Sequence, residues 1–142
     1  DMGGSKRANA YSRHLQSEMV LCYKLRKKPN VVEEMSIIGD VEDRNVVIID
    51  DMVDTAGTLV LAAQKMKEKR ARSIRAFATH PILSGNAIDR INDSPIEKLV
   101  VTDSLPLSRT SEKIKVLSIA EIFANTILAV NNNQSISTNF VF

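Results

Sequence analysis

Residues 46–49, Val-Val-Ile-Ile, form an uninterrupted apolar run that ends in two adjacent carboxylates, Asp50 and Asp51. Four β-branched residues in a row predict a strand covered on both faces. A few residues later comes a loop of small side chains, Asp54-Thr55-Ala56-Gly57-Thr58, and from Thr58 to position 70 the apolar residues recur at helical spacing. A buried strand that leads through a short loop into a helix is the unit from which parallel sheets are built.

The rest of the chain repeats that grammar. Strands are expected over 19–25, 35–39, 73–79, 99–102 and 116–118. Helices are expected over 5–16, where Ala8, Tyr11 and Leu15 share a face, and over 58–70, 87–91 and 119–130. Residues 24–30 (KLRKKPN) are basic, lack apolar periodicity and contain a proline, which predicts an exposed loop. Polar turns are expected over 40–45 and 80–86. An Asn-rich tail from 131 returns to apolar residues at Phe140, Val141 and Phe142. No internal repeat stands out. Strands alternating with helices predict one α/β domain over residues 1–142, a mostly parallel sheet with helices on both faces. In such sheets ligands sit at the carboxyl ends of the strands, and Asp50 and Asp51 lie at one such end.

Charge and composition narrow the function classes. Lys plus Arg is 19 against 17 Asp plus Glu, and a net charge of +2 is too small for a nucleic-acid footprint. No apolar run reaches membrane-spanning length, and no secretory segment opens the sequence. With Cys22 as the single cysteine, neither an internal disulfide nor a thiolate zinc cluster can be built, so a cytoplasmic setting is expected. The sequence opens on Asp1 and moves at once into Gly3-Gly4, which reads as the middle of a motif and predicts a preceding segment.

The loop at 54–58 has the parts of a phosphate cradle. Gly57 is expected to turn the backbone sharply and let it approach a ligand. A helix N-terminus follows, whose free N–H groups and dipole favour an anion. Thr55 and Thr58 add hydroxyl donors. No lysine of the nucleoside-triphosphate loop is present. Asp50 and Asp51 would repel a phosphate, so they are expected to face sugar hydroxyls or a magnesium ion held partly through water. Together the two features describe a site for a sugar phosphate. The bland alternative is that the aspartates end an exposed strand and Asp54 or Thr58 caps the helix.

Residues 46–58 resemble the phosphoribosyl-diphosphate loop of type I phosphoribosyltransferases and, more narrowly, the ribose-5-phosphate loop of ribose-phosphate diphosphokinases (phosphoribosyl diphosphate synthases). Other stretches resemble the narrower family too. Residues 1–8 (DMGGSKRA) are similar to its Pro-Asp-x-Gly-Gly segment, and residues 24–30 to its flexible catalytic loop. Thr79-His80, Leu83-Ser84-Gly85 and Asp89-Arg-Ile-Asn92 are similar to a strand–loop–helix of the family. Ser135-Ile-Ser137 and Phe142 are similar to its tail, although the residues after Ser137 depart from the usual Tyr-Leu-Phe ending. The resemblance spans the whole chain but only the C-terminal half of a usual family member.

The resemblance implies ribose-5-phosphate binding by Asp50, Asp51, Asp54, Thr55, Ala56, Gly57 and Thr58. It implies a catalytic pair in Lys24 and Arg26, which would stabilise charge as a diphosphoryl group moves from ATP to the sugar. It implies magnesium as cofactor, with Asp1 associated with the metal beside a histidine of the other half. ATP and ribose 5-phosphate would be the substrates, and the assembly a homo-oligomer, hexameric in the family, with no nucleic acid or membrane partner. Two competing readings stand beside it: a type I phosphoribosyltransferase, and a non-catalytic regulatory homologue of the synthase. His80 is expected to cap a strand end or hydrogen-bond within its loop, His14 to lie on the surface, and Cys22 and the Ala/Leu/Met pattern of 58–66 to fill the core.

Overall fold

The computed structural model describes residues 2–25, 34–137 and 140. Helix α1 (Met2–His14) is followed by strands β1 (Leu21–Leu25) and β2 (Glu34–Ile38), then β3 (Asn45–Val53), α2 (Gly57–Glu68) and β4 (Ser73–Pro81). Helix α3 (Ala87–Asn92), β5 (Lys98–Thr102), β6 (Ile114–Leu117) and α4 (Ala120–Asn131) complete the order. Strands β3 to β6 make a four-stranded sheet in sequential order, and every pair in it is parallel. The fold is therefore α/β, with a parallel sheet flanked by helices.

Right-handed crossovers that step repeatedly in one direction place their helices on the same face of a sheet. Helices α2 and α3 do this and pack against each other. Leu59, Ala63 and Met66 of α2 and Ala87, Ile88 and Ile91 of α3 meet Ile74, Ala76, Leu99 and Val101 of the sheet in one cluster. The apolar pattern at 58–66 is thus core packing, as expected. The other face of the sheet is apolar but open. Val46 and Ile48 lean on the core, whereas Val47 is 48% exposed and Phe77 40%. Covering by two same-side helices leaves alternate residues of each strand uncovered, so the run at 46–49 is buried on one face only.

Strands β1 and β2 form a separate antiparallel pair, with Leu21 opposite Ile38 and Leu25 opposite Glu34. This pair docks through Ile37, which joins the core, while Lys69 donates a hydrogen bond to the Ile37 carbonyl at 3.3 Å. Cys22 is half-buried against the same cluster, and burial pushes its thiol up. Helix α1 ends earlier than its apolar spacing predicts. Gln16 adopts a left-handed backbone (φ 51°), so Leu15 falls beyond the helix and stays exposed. His14 is exposed, as expected. Among the described residues no helix is long and apolar enough to cross a membrane.

Candidate functional site

Strand β3 runs on to Val53, past the end of its apolar run at Ile49. Asp50 pairs in register with Ala78, Met52 with His80 and Val53 with Pro81, so the aspartates lie within the strand and not beyond it. Backbone pairing with β4 extends the strand there, although the side chains have turned polar.

Regular alternation would send Asp50 and Asp51 to opposite faces of the sheet. The rhythm breaks at this point. Burial in β4 passes from Ile74, Ala76 and Ala78 to Pro81, and in β3 the buried Val53 lies out of step with Val46 and Ile48. The two carboxyls consequently share a hydrogen bond. Partial burial, reinforced by that bond and by the neighbouring charge, raises Asp50 above the usual carboxylate range. The same bond, accepted by Asp51, holds Asp51 below it. The Arg7 guanidinium of α1 pulls both down. Backbone groups brace the pair: Asp51 N–H donates to Asp50 Oδ1 at 2.9 Å, and Met52 N–H to Asp51 Oδ1 at 3.1 Å.

A carboxyl whose pKa is raised by folding favours the folded state below its unfolded pKa, and that contribution is lost as pH rises through the folded value. Asp50→Asn removes the penalised charge and keeps the acceptor for Asp51 N–H. The variant should melt above the wild type at neutral pH, with the gain shrinking as pH falls through Asp50's titration. Melting curves across that range check this; a gain that does not vary with pH would mean that Asp50 titrates normally.

After Val53 the chain turns into α2. The turn is made by Ala56, not Gly57. Ala56 sits at the helix N-cap with φ 60° and ψ 2°, while Gly57 is already the first helical residue. A left-handed alanine costs about 1–2 kcal/mol, and the surroundings hold it there. Its methyl is buried at 4% exposure. Leu83 N–H donates to the Val53 carbonyl at 3.0 Å and Ser84 N–H to the Asp54 carbonyl at 3.1 Å. On the other side Arg90 Nη1 donates to the Thr55 carbonyl at 3.0 Å.

No side chain caps α2 and no acidic residue occupies its first turn. The capping role considered for Asp54 and Thr58 is therefore absent, and the first N–H groups of α2 are left facing the loop. A Cβ built on Gly57 would meet Thr55 Oγ1 at 3.9 Å and Arg90 Nη1 at 3.7 Å. Those are ordinary contacts, so the glycine is not required by its backbone; it leaves a gap between a hydroxyl and a guanidinium.

At the same end of the sheet, His80 Nδ1 lies 2.9 Å from Ser104 Oγ, which itself donates to the Thr79 carbonyl at 3.1 Å. A hydroxyl with its only proton so committed accepts from the ring, which puts the proton on Nδ1. His80 lies near the end of β4 and hydrogen-bonds to the turn after β5, not within its own loop.

The predicted residues divide into two groups. Asp50, Asp51, Asp54, Thr55, Ala56, Gly57 and Thr58 come together as one strand–loop–helix. Lys24 is not in a loop: it belongs to β1 and pairs in register with Met35, because the backbone ladder with β2 outweighs the local basic composition. Arg26 and Asp1 lie outside the described residues. Sequence reasoning missed Arg90 as a partner of the loop, although the family-like Asp89-Arg-Ile-Asn92 contains it. Two carboxylates completed by water and substrate phosphates suit the way magnesium is usually bound, and among the described residues no group of three or more His, Cys, Asp or Glu offers a protein-only metal cage. A depression of about 340 Å³ lined by Gly39, Asp40, Val41, Glu42, Lys69 and Arg70 lies at the other end of β3 and α2, away from these groups.

Residues 2–141 match the family described as phosphoribosyl synthetase-associated domain. The chain is 47% identical over 142 residues to a ribose-phosphate pyrophosphokinase of Porphyromonas gingivalis, covering 100% of this chain and 45% of that protein. It is 45% identical over 141 residues to one of Campylobacter jejuni, covering 99% and 46%. Phosphoribosylpyrophosphate synthetase from Mycobacterium smegmatis superposes with a TM-score of 0.79 at 29% identity, over 89% of this chain and 42% of that one. The chain thus spans less than half the length of these relatives.

Proposed function

The chain belongs to the phosphoribosyl synthetase-associated domain family and is a homologue of ribose-phosphate pyrophosphokinases matching their C-terminal part, and from that premise we propose that it binds ribose 5-phosphate in the service of phosphoribosyl diphosphate synthesis. The observation that carries the reading is the uncapped N-terminus of α2, which begins at Gly57 shortly after the strand of paired carboxylates ends at Val53. The 5-phosphate takes the N–H groups of α2 with the hydroxyls of Thr55 and Thr58, and the ribose hydroxyls face Asp50 and Asp51.

In the complete reaction the ribose 1-hydroxyl loses its proton to solvent as its oxygen bonds to the β-phosphorus of ATP. The bond from that phosphorus to the oxygen bridging the α- and β-phosphates breaks, and AMP leaves with its electron pair. Lys24 and Arg26 are assigned to the charge that develops on the phosphoryl oxygens. Magnesium, when bound, neutralises phosphate charge beside the acidic pair.

Two roles for this chain are compatible with sugar-phosphate binding. One is the ribose-5-phosphate-binding half of a diphosphokinase. The other is a non-catalytic associate of a synthetase, favoured by the family description. In both, the chain binds sugar phosphate and does not turn it over alone. A type I phosphoribosyltransferase is disfavoured by a resemblance to pyrophosphokinases that spans the whole chain.

Titration calorimetry with ribose 5-phosphate tests the reading through Gly57→Ala. Replacing a helical glycine by alanine is worth up to about 1 kcal/mol of helix propensity, and the added methyl meets no clash. The variant should melt at or above the wild type, yet bind ribose 5-phosphate at least roughly tenfold more weakly, about 1.4 kcal/mol, because the methyl occupies the gap beside Thr55. Equal affinities in the two proteins would remove the loop from the binding site.

A further inference from the structure

We infer that Arg90 is the cation of the phosphate loop, a direct ligand of the sugar phosphate's 5-phosphate; the inference rests on the sugar-phosphate reading of residues 54–58. Charge balance raises the need for such a group. From Asp50 to Gln64 there is no lysine, arginine or histidine, but there are three carboxylates, Asp50, Asp51 and Asp54. A phosphate carrying close to two negative charges at neutral pH would meet a loop whose own formal charges are all negative. Helix-dipole attraction of about half a charge does not offset three carboxylates, and the Arg7 charge acts on Asp50 and Asp51, so a cation for the loop at 54–58 must come from elsewhere in the fold.

Helix α3 supplies it. Ala87, Ile88 and Ile91 are buried against the core, which turns Asp89 and Arg90 outward. Asp89 is taken by an ion pair with Arg109, so it does not neutralise its neighbour. Among the described residues no carboxylate forms an ion pair with Arg90. The guanidinium is anchored by one bond, from Nη1 to the Thr55 carbonyl. A guanidinium has five N–H donors in a planar fork that matches a phosphate, and the others remain available. Nη1 itself, which carries a second N–H, lies at the rim of the gap that Gly57 leaves open, across from Thr55 Oγ1. One residue therefore fixes the loop's backbone and brings to it the charge that its sequence lacks.

Three variants separate charge from bracing: Arg90→Gln, Arg90→Lys and Arg90→Ala, each titrated with ribose 5-phosphate and with inorganic phosphate. Arg90 is exposed, so all three should fold, with melting temperatures serving as the control. If Arg90 binds the phosphate, Arg90→Gln and Arg90→Ala should weaken ribose-5-phosphate binding alike, by tenfold or more, with Arg90→Lys in between. The wild type should also gain more affinity than Arg90→Gln as the phosphate's second proton leaves. If Arg90 only braces Thr55, its charge does not act on the phosphate: Arg90→Gln and the wild type would show the same pH dependence of binding, and the inference is overturned. Should the wild type bind neither ligand, the sugar-phosphate reading fails first and the role of Arg90 falls with it.

Discussion

Incubated with ATP, ribose 5-phosphate and magnesium, the 142-residue chain alone should release no AMP above background, while the Porphyromonas gingivalis relative assayed beside it turns over. Diphosphoryl transfer depends on placing the nucleotide in line with the ribose hydroxyl and on neutralising phosphate charge. The proposed sugar-phosphate loop lies among the described residues, and the chain corresponds to 45% of that relative. Losing the positioned nucleotide and the fully held metal should each remove several kcal/mol of transition-state stabilisation. At about 1.4 kcal/mol per factor of ten, the two together amount to roughly four orders of magnitude or more. Ribose-5-phosphate binding should persist, because its loop lies within β3, α2 and the residues that brace them. AMP release by the chain alone would show that the nucleotide site lies within these 142 residues. A change in the relative's rate on adding the chain would favour the synthetase-associated role.

Leu99→Ala should be among the most destabilising single truncations. Leu99 is 0% exposed on β5, paired in register with Ala76 on one side and Ile114 on the other, beneath α2 and α3. Removing a fully buried leucine side chain costs about 2–5 kcal/mol, the upper values where neighbours cannot collapse into the space. In a domain stabilised by about 5–15 kcal/mol that is a large share. Phe123→Ala is the contrasting case. Phe123 is larger, but it is 57% exposed on α4, a helix with no buried residue, and its loss should stay within about 0.5 kcal/mol. Urea unfolding of both variants checks the pair. A greater loss at Phe123 than at Leu99 would mean that the core extends over the open face of the sheet.

The amino-acid sequence by itself determined the alternation of strands and helices, because apolar periodicity is local: the run at 46–49, the helical spacing after Thr58 and the turn-rich stretch before Ala87 can each be read within a dozen residues. It also determined the composition of the candidate cradle, since Asp50 to Thr58 are contiguous. Tertiary structure decided what depends on partners remote in sequence. The left-handed turn falls on Ala56 and not on Gly57, whose residue type suggested it, because the buried methyl and hydrogen bonds involving Leu83, Ser84 and Arg90 hold the alanine in a conformation it does not prefer alone. Lys24 belongs to a strand because Met35 lies opposite it. Asp50 and Asp51 share a hydrogen bond only where the alternation of β3 breaks. Arg90 reaches Thr55 across 35 residues of sequence because α3 buries Ile88 and Ile91 and leaves the arginine no inward direction. Propensity acts over a few neighbouring residues, whereas packing and charge balance act between elements that the chain brings together only when folded.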